Sequence, residues 1–246
     1  PEKEYGWAYG YYNCFMRYTT LFFDLDDTVY PNSTGLWDAI KQRMSMYMLE
    51  KLGLPKDQIP ILRRQYFTTY GTTLRGLQKH HQVDADEYLA YVHDLPLEKY
   101  LTPSAEIRKM MLSLPQKKYI FTNADADHAR RVLKRLQLSD CFESIIDLRA
   151  MQFACKPEAE AYKIALRIAG NPDPQQCVLL DDMPANLIGA SQLGFTTVLV
   201  GSDGSEVNDP VTLQSLPNDH LKKINVVIPD LTALPKNMPE LWEHAP

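Results

Sequence analysis

The sequence predicts an α/β fold, with a Rossmann-like, doubly wound parallel sheet as the core and an inserted all-helical segment. Short apolar runs rich in β-branched and aromatic residues alternate with helical patterns, as in strand–helix–strand units. The middle runs are apolar at almost every position, which is typical of parallel strands covered on both faces. The predicted strands are Thr20–Phe23, Lys118–Thr122, Ser144–Ile146, Cys177–Leu180, Thr196–Val200 and Asn225–Ile228.

Helices are predicted between these strands. One begins after Asp127, where apolar residues recur at helical spacing. Another begins at Pro157, because proline suits the first helical turn, and ends at the Gly170–Pro172 breaker. From about Leu36 to about Tyr100 the sequence contains helical patterns only, and this stretch is too long for an ordinary crossover. We therefore predict a helical subdomain inserted after the first strand.

This insertion sets the predicted domain organisation. The core comprises residues 19–34 and 101–246, the helical insert comprises residues 35–100, and residues 1–18 form an N-terminal arm of unknown role. Methionine and aromatic residues at helical spacing in the insert are predicted to form its own core.

The composition restricts the class of function. The chain has 246 residues, of which 45% are hydrophobic and 23% charged, and its formal net charge is −5. No apolar run approaches the roughly 18 residues of a membrane span, and an acidic chain has no general attraction for nucleic acid polymers or anionic lipid. The beginning of the sequence does not resemble a signal peptide, and the four cysteines lack zinc or disulfide spacing. We expect a cytoplasmic protein with a small-molecule partner, and the oligomeric state stays open.

Acidic residues directly follow the first predicted strand. In an extended segment, residues two apart point to the same side, so Asp24 and Asp26 face one site while Leu25 turns away. Buried carboxylates destabilise a fold unless a partner balances them, and a cation is the simplest partner. The alternative is a solvated acidic turn in which an aspartate caps a helix.

Two other strand ends carry groups suited to an anion. Thr122 and Asn123 end the second strand, and the threonine hydroxyl is a potential donor, although a turn or cap is the simpler interpretation of this threonine alone. Lys156 precedes Pro157 and a predicted helix start, a favourable place for phosphate. Taken alone, Lys156 is more simply interpreted as an exposed lysine.

A second acidic pair follows the strand Cys177–Leu180. Asp181 and Asp182 stand at its end, and Asn186 lies four residues beyond Asp182 on the same predicted helix face. We therefore expect Asn186 to support Asp182. The alternative is that Asp182 merely caps the helix that Pro184 begins.

All four signals fall at strand ends, where open parallel sheets bind their ligands. The ordered set resembles the haloacid dehalogenase superfamily of phosphotransferases over about residues 20–200. The matching positions are Asp24, Asp26 and Thr28 in its first motif, Thr122 in the second, Lys156 in the third, and Asp181 and Asp182 in the fourth. The resemblance implies that the insert is a C1-type cap.

The resemblance also implies a mechanism. Asp24 would attack phosphorus and form an aspartyl-phosphate, while Asp26 would exchange protons with the leaving alcohol and with the hydrolytic water. Mg²⁺ would be held by the Asp24 carboxylate, the Asp26 carbonyl and an acid of the fourth motif. Asp182 is favoured as the direct ligand because of the Asn186 spacing, and Asp181 would bind directly or through water.

The remaining motif residues would handle the phosphoryl group. By the same resemblance, Thr122 and Lys156 would hold its oxygens, with the backbone or side chain of Asn123 nearby. Thr28 would orient the loop of the first motif.

A narrower resemblance lies in the insert. The segment Tyr66–Leu77, followed by His81, is similar to the pyrimidine 5'-nucleotidase subgroup, which implies hydrolysis of UMP or CMP. The tyrosines are equally well interpreted as core of the insert, and His80 is an alternative to His81. The candidates for contacting the substrate are Tyr66, Tyr70, Arg75 and His81.

Other functions stay open. The same machinery would serve another small phosphomonoester, such as a sugar phosphate or a lysophospholipid. A phospho-accepting receiver domain and a catalytically silent binding protein are alternatives of another class. Dehalogenation is disfavoured because Asp26 is present, and a halide leaves without protonation.

Overall fold

The computed structural model describes residues 16–201, 219 and 222–243. Its strands are β1 (Thr20–Phe23), β2 (Lys117–Phe121), β3 (Ser144–Ile146), β4 (Cys177–Asp181), β5 (Thr196–Val200) and β6 (Val226–Ile228). They form one parallel sheet in the order β3-β2-β1-β4-β5-β6. The predicted strands are confirmed, with ends shifted by no more than a residue, and so is the doubly wound parallel sheet. Most of the predicted N-terminal arm lies outside the described residues.

Helices connect and flank the strands. They are α1 (Leu36–Glu50), α2 (Ile59–Tyr70), α3 (Thr73–His81), α4 (Ala85–His93), α5 (Ala105–Ser113), α6 (Ala126–Leu136), α7 (Ala159–Ile168), α8 (Pro184–Ser191) and α9 (Leu234–Asn237). The predicted helix start at Pro157 is wrong, because the Glu158 amide donates to the Cys155 carbonyl at 2.8 Å and closes a turn before α7. Within the described residues, none of the helices has the length and apolar character needed to cross a bilayer.

The two faces of the sheet bury alternate residues of each strand. On β1, Leu21 and Phe23 pack into one cluster with α5, α6 and α9, whereas Phe22 packs into another with α7 and α8. All three side chains are fully buried. Burial of a side chain of this size contributes about 1.5–3 kcal/mol to the stability of the fold. Because both faces of the sheet are packed in this way, the strands and the residues at their ends are held in fixed positions.

Helices α1 to α4 lie between β1 and β2 in the chain, and no strand interrupts residues 36–93. These helices share a separate apolar cluster that includes Tyr47, Tyr66, Leu77 and Tyr88. The prediction of an inserted helical segment is therefore confirmed, and Tyr66 belongs to its core, with 4% of its surface exposed. Cys155 of the main body also joins this cluster, so the helical insert rests on the chain beside Lys156.

Candidate active site

The strand register brings the two acidic motifs together. Strand β1 pairs with β4, with Phe23 opposite Leu180, so the residues that follow them are neighbours at one edge of the sheet. The Asp24 amide donates to the Leu180 carbonyl at 2.8 Å. The sheet order reverses at this pair of strands, and the crevice beyond such a switch point is where doubly wound folds bind ligands.

Lys156 lies between two aspartates of these motifs. Its Nζ donates to Asp24 Oδ1 at 2.8 Å and to Asp181 Oδ2 at 2.6 Å. The Lys156 side chain is 1% exposed, so its interpretation as an exposed lysine is wrong. Burial alone would lower the pKa of Lys156, but the charges of Asp181 and Asp24 outweigh burial and raise it. The lysine is therefore a fixed positive charge inside the site.

Residues from the end of β2 hold the lysine segment in place. The Asn123 side chain donates to the Lys156 carbonyl at 3.0 Å and accepts from the Lys156 amide at 2.9 Å. Thr122 is 1% exposed, and its hydroxyl accepts from the Ala124 amide at 3.0 Å. Asn123 thus uses its side chain to position the lysine, and the Thr122 hydroxyl proton stays available for another acceptor.

Three carboxylates form a cluster able to hold a metal ion. One oxygen each from Asp24, Asp181 and Asp182 lies within 4.8 Å of the other two. Burial raises the pKa of Asp24 to about 7, against the lowering effect of Lys156. Burial, then the charges of Asp181 and Asp24, raise the pKa of Asp182 well above its usual value. Clustered carboxylate oxygens fit a hard divalent cation, whose charge would relieve their repulsion.

The predicted support of Asp182 by Asn186 is wrong. The Asn186 amide donates instead to both carboxylate oxygens of Asp181, at 2.9 and 3.1 Å. The Met183 amide also donates to Asp181 Oδ1 at 2.9 Å. The reason is that Asp181 is the last residue of β4 and faces the first turn of α8, where Asn186 lies. Asp181 is therefore the better anchored of the two acids.

Asp26 has different surroundings from Asp24. The Tyr30 hydroxyl donates to Asp26 Oδ1 at 2.5 Å, and His128 Nε2 lies 2.8 Å from the same oxygen. Burial alone would raise the pKa of Asp26, but the charge and hydrogen bond of His128 and the hydrogen bond of Tyr30 lower it. Neither partner was predicted from the sequence. Tyr30 lies four residues after Asp26, but a turn and not a helix joins them, so helical spacing does not indicate this pair, and nothing in the sequence indicates His128.

The loop after β1 is buried as well. Asp27 adopts a positive φ of 59°, and its Oδ2 accepts from the Asn32 amide group at 2.6 Å. Thr28 is 3% exposed, and its hydroxyl has no hydrogen-bond partner among the described residues.

The candidate residues of the insert contact one another and the main body. The Tyr70 hydroxyl lies 2.7 Å from His80 Nε2, and the Tyr66 hydroxyl lies 2.8 Å from His81 Nε2. Arg75 forms an ion pair with Glu158 of the main body. Its Nη1 also donates to the Tyr70 carbonyl at 2.9 Å and to Cys155 Sγ at 3.0 Å. Arg75 thus links the helical insert to the segment that carries Lys156.

The sheet order, the helical insert and the aspartate–lysine cluster together define a class: a Rossmann-like α/β protein with an acidic site at its switch point. The sequence matches the family described as haloacid dehalogenase-like hydrolase over residues 18–194. The chain belongs to this family, as its motifs predict.

The chain is also similar to individual known proteins. Phosphate metabolism protein 8 of Saccharomyces cerevisiae is 30% identical over 192 residues, which cover 72% of this chain and 60% of the yeast protein. A HAD phosphatase from Thermococcus onnurineus has a TM-score of 0.58 at 21% identity, covering 89% of this chain and 96% of that one. A putative HAD-hydrolase from Bacillus subtilis, bound to magnesium, has the same TM-score at 17% identity, covering 89% and 98%. At these identities the two structures support the fold alone.

Proposed function

We propose that this chain is a Mg²⁺-dependent phosphomonoester hydrolase that works through an aspartyl-phosphate on Asp24. The observation that carries the proposal is the contact of Lys156 with Asp24 and Asp181, at 2.8 and 2.6 Å, beside a cluster of three carboxylates. This arrangement supports the proposal because it would put a nucleophile, a cation for phosphoryl oxygens and donors for a metal in one crevice.

The reaction would take place in two steps. A carboxylate oxygen of Asp24 attacks phosphorus, the ester P–O bond breaks, and Asp26 gives a proton to the leaving alcohol. Water then attacks the phosphorus of the acyl phosphate, Asp26 takes the proton of the water, and Asp24 is regenerated with release of phosphate. Lys156 and Thr122 hold the phosphoryl oxygens in both steps, and Asn123 and Thr28 fix the two loops.

The metal site would use oxygen ligands. Mg²⁺ would be held by the carboxylates of Asp24 and Asp182 and the carbonyl of Asp26, with Asp181 ligating directly or through water. When bound, the ion would supply positive charge to the phosphoryl oxygens. Asp182 is preferred as a direct ligand because Lys156 and Asn186 already occupy the Asp181 carboxylate.

The preferred substrate class is a pyrimidine nucleoside 5'-monophosphate, with the helical insert acting as a C1-type cap. The resemblance of Tyr66–Leu77 to the pyrimidine 5'-nucleotidases supports this choice, and the name of the yeast relative agrees with a role in phosphate metabolism. Tyr70 and His81 are the proposed substrate contacts, whereas Arg75 is proposed to place the cap over the site through its ion pair with Glu158. The proposed location is the cytoplasm, the default for a chain whose four cysteines lack zinc or disulfide spacing.

A phosphate-release assay tests the proposal. Purified protein with Mg²⁺ is expected to release phosphate from UMP and CMP, and Asp24→Asn is expected to abolish release. Asp57→Asn, at an exposed position, is the matched control and should keep full activity. Activity on sugar phosphates or lysophospholipids alone would reject the nucleotide class. Full turnover by Asp24→Asn would reject the mechanism, and a long-lived phosphoprotein without turnover would indicate a receiver-like function.

A further inference from the structure

Two donors hold the same oxygen of Asp26. The Tyr30 hydroxyl donates to Oδ1 at 2.5 Å, and His128 Nε2 lies 2.8 Å from Oδ1. A carboxyl oxygen that carries no proton only accepts hydrogen bonds, so His128 Nε2 donates in this contact when the Asp26 proton is on Oδ2 or absent. Among the described residues no side chain donates to Oδ2, and the Asp26 side chain is 12% exposed. The two carboxylate oxygens of Asp26 therefore differ in their hydrogen bonding: Oδ1 is held by two side chains and Oδ2 by none of those described.

We propose that Tyr30 and His128 are positioning residues that hold Asp26 by Oδ1, so that Oδ2 is the oxygen that exchanges protons with the leaving group. This inference rests on the proposed function and adds to it the residues that aim the acid. Two fixed donors on one oxygen restrict the rotation of the carboxylate, and proton transfer requires hydrogen-bond reach and alignment.

A second layer of contacts fixes the His128 ring. The ring of His93, from the end of α4, stacks on it with centroids 4.1 Å apart and planes 15° apart. His93 Nδ1 lies 2.8 Å from Asp125 Oδ1, and the His93 carbonyl accepts from Arg131 at 2.7 Å. His93 belongs to the helical insert, so the stacking of His93 on His128 both packs the insert against the main body and restrains the residue that orients Asp26.

Packing alone does not account for His128. Its side chain is 1% exposed, and its Nδ1 has no hydrogen-bond partner among the described residues. A buried, unpartnered nitrogen destabilises a fold, and an apolar side chain of similar volume would avoid that loss. The presence of a histidine at this position is therefore explained by the one hydrogen bond that its side chain makes, which is to Asp26.

The test compares substrates whose leaving groups differ in their need for a proton. A nucleoside alkoxide needs protonation, whereas 4-nitrophenolate does not, and kcat/KM reports the steps up to its departure. His128→Leu is expected to lower kcat/KM for UMP by about 100-fold, the scale of a lost general acid, and to change 4-nitrophenyl phosphate by less than about 5-fold. His128→Gln keeps an amide donor. Its ratio of kcat/KM for UMP to kcat/KM for 4-nitrophenyl phosphate is expected to be at least a tenth of the wild-type ratio.

Tyr30→Phe provides an independent variant should His128→Leu fail to fold, and it is expected to change the ratio in the same direction. Tyr91→Phe is the control, because it removes a hydroxyl that donates to Glu50 at an exposed position, and it should leave the ratio unchanged. A crystal structure of the leucine variant is expected to contain Asp26 in a new or a second rotamer.

Equal losses on both substrates, or a glutamine variant no better than leucine, would overturn the inference. An unmoved Asp26 in the leucine variant would also overturn it. If the wild-type protein hydrolyses neither substrate, the proposed function is wrong and this inference falls with it. If the wild-type protein is active and the ratio does not change, this inference alone is wrong.

Discussion

Substitution of Lys156 by methionine removes the ammonium group that lies between two buried carboxylates. Methionine keeps an unbranched apolar stem, so the change is mainly one of charge. Lys156 and Asp181 are 1% and 0% exposed, and their N–O distance is 2.6 Å. Removal of one partner of such a buried pair costs about 3–5 kcal/mol, compared with about 0–1 kcal/mol for an exposed pair. We expect the free energy of unfolding to fall by about 3–5 kcal/mol at pH 8.

The loss should be smaller at pH 6. Without Lys156 the Asp24 carboxyl, whose pKa is already raised to about 7, holds a proton more tightly and leaves less uncompensated charge. The assay is thermal and urea unfolding in the absence of divalent metal. For a chain of this size, about 3–5 kcal/mol corresponds to a fall in Tm of roughly 6–20 °C.

The control is Lys163→Met. Lys163 pairs with Glu160 at 4.0 Å, and both side chains are more than half exposed, so its loss should stay below about 1 kcal/mol. A Lys156→Met variant that loses no more stability than Lys163→Met at pH 8 would refute the reasoning. It would mean that the acids of the site are not held in the folded chain by the lysine charge.

Three further results are expected. Mg²⁺ should raise Tm more at pH 8 than at pH 5 in thermal scans. Because the pKa of Asp24 is raised to about 7 in the folded chain, the stability that this carboxyl contributes is lost as the pH rises from about 4 through about 7. A bound cation offsets that loss. Arg75→Gln and Glu158→Gln should each raise KM for UMP by about 2–5-fold, and the double variant should be no worse than either, because the two side chains form one ion pair between insert and main body. Gly76→Ala should lower the free energy of unfolding by about 1–2 kcal/mol in urea titrations, because the added Cβ would lie 2.2 Å from a ring carbon of Tyr66, which outweighs the gain in helix propensity.

Each of these results has a contrary outcome. An equal effect of Mg²⁺ at both pH values would argue against a cation site at the carboxylate cluster. A loss for Arg75→Gln far larger than that for Glu158→Gln would assign Arg75 to the substrate and not to the link with the main body. Lys79→Ala, at an exposed position of the same helix as Gly76, should be nearly neutral, and a similar loss there would remove the packing argument.

The parts of the fold that follow from local patterns were predictable from the sequence. Fully apolar runs between helical patterns predicted the parallel strands, and a helical stretch too long for a crossover predicted the insert. Parallel strands place their carboxyl ends at one edge of the sheet, so the meeting of Asp24 and Asp181 was also foreseeable. Lys156 was expected at a strand end as well, but it lies in the segment between β3 and α7, where Asn123 positions it.

Side-chain pairing across long separations was not predictable. His128 lies 102 residues from Asp26 in the chain, and only the packing of α6 against the loop after β1 brings the two together.

The direction of Asn186 depends on the turn between β4 and α8, and a spacing of four residues does not determine which of two adjacent acids it meets. Helical spacing is a guide only where both residues belong to the helix, and Asp182 precedes α8.

The contrast between Asp24 and Asp26 bears on the need for a cation. The two residues are neighbours in one motif, yet burial and nearby carboxylates raise the pKa of Asp24, whereas His128 and Tyr30 lower that of Asp26. In the metal-free chain, therefore, the proposed nucleophile holds its proton more tightly than the proposed acid, the reverse of what phosphoryl transfer requires. A divalent cation at the carboxylate cluster favours ionised Asp24, and an anionic phosphate beside Asp26 favours its protonated form. Metal and substrate together would set both groups in the protonation states that the reaction needs.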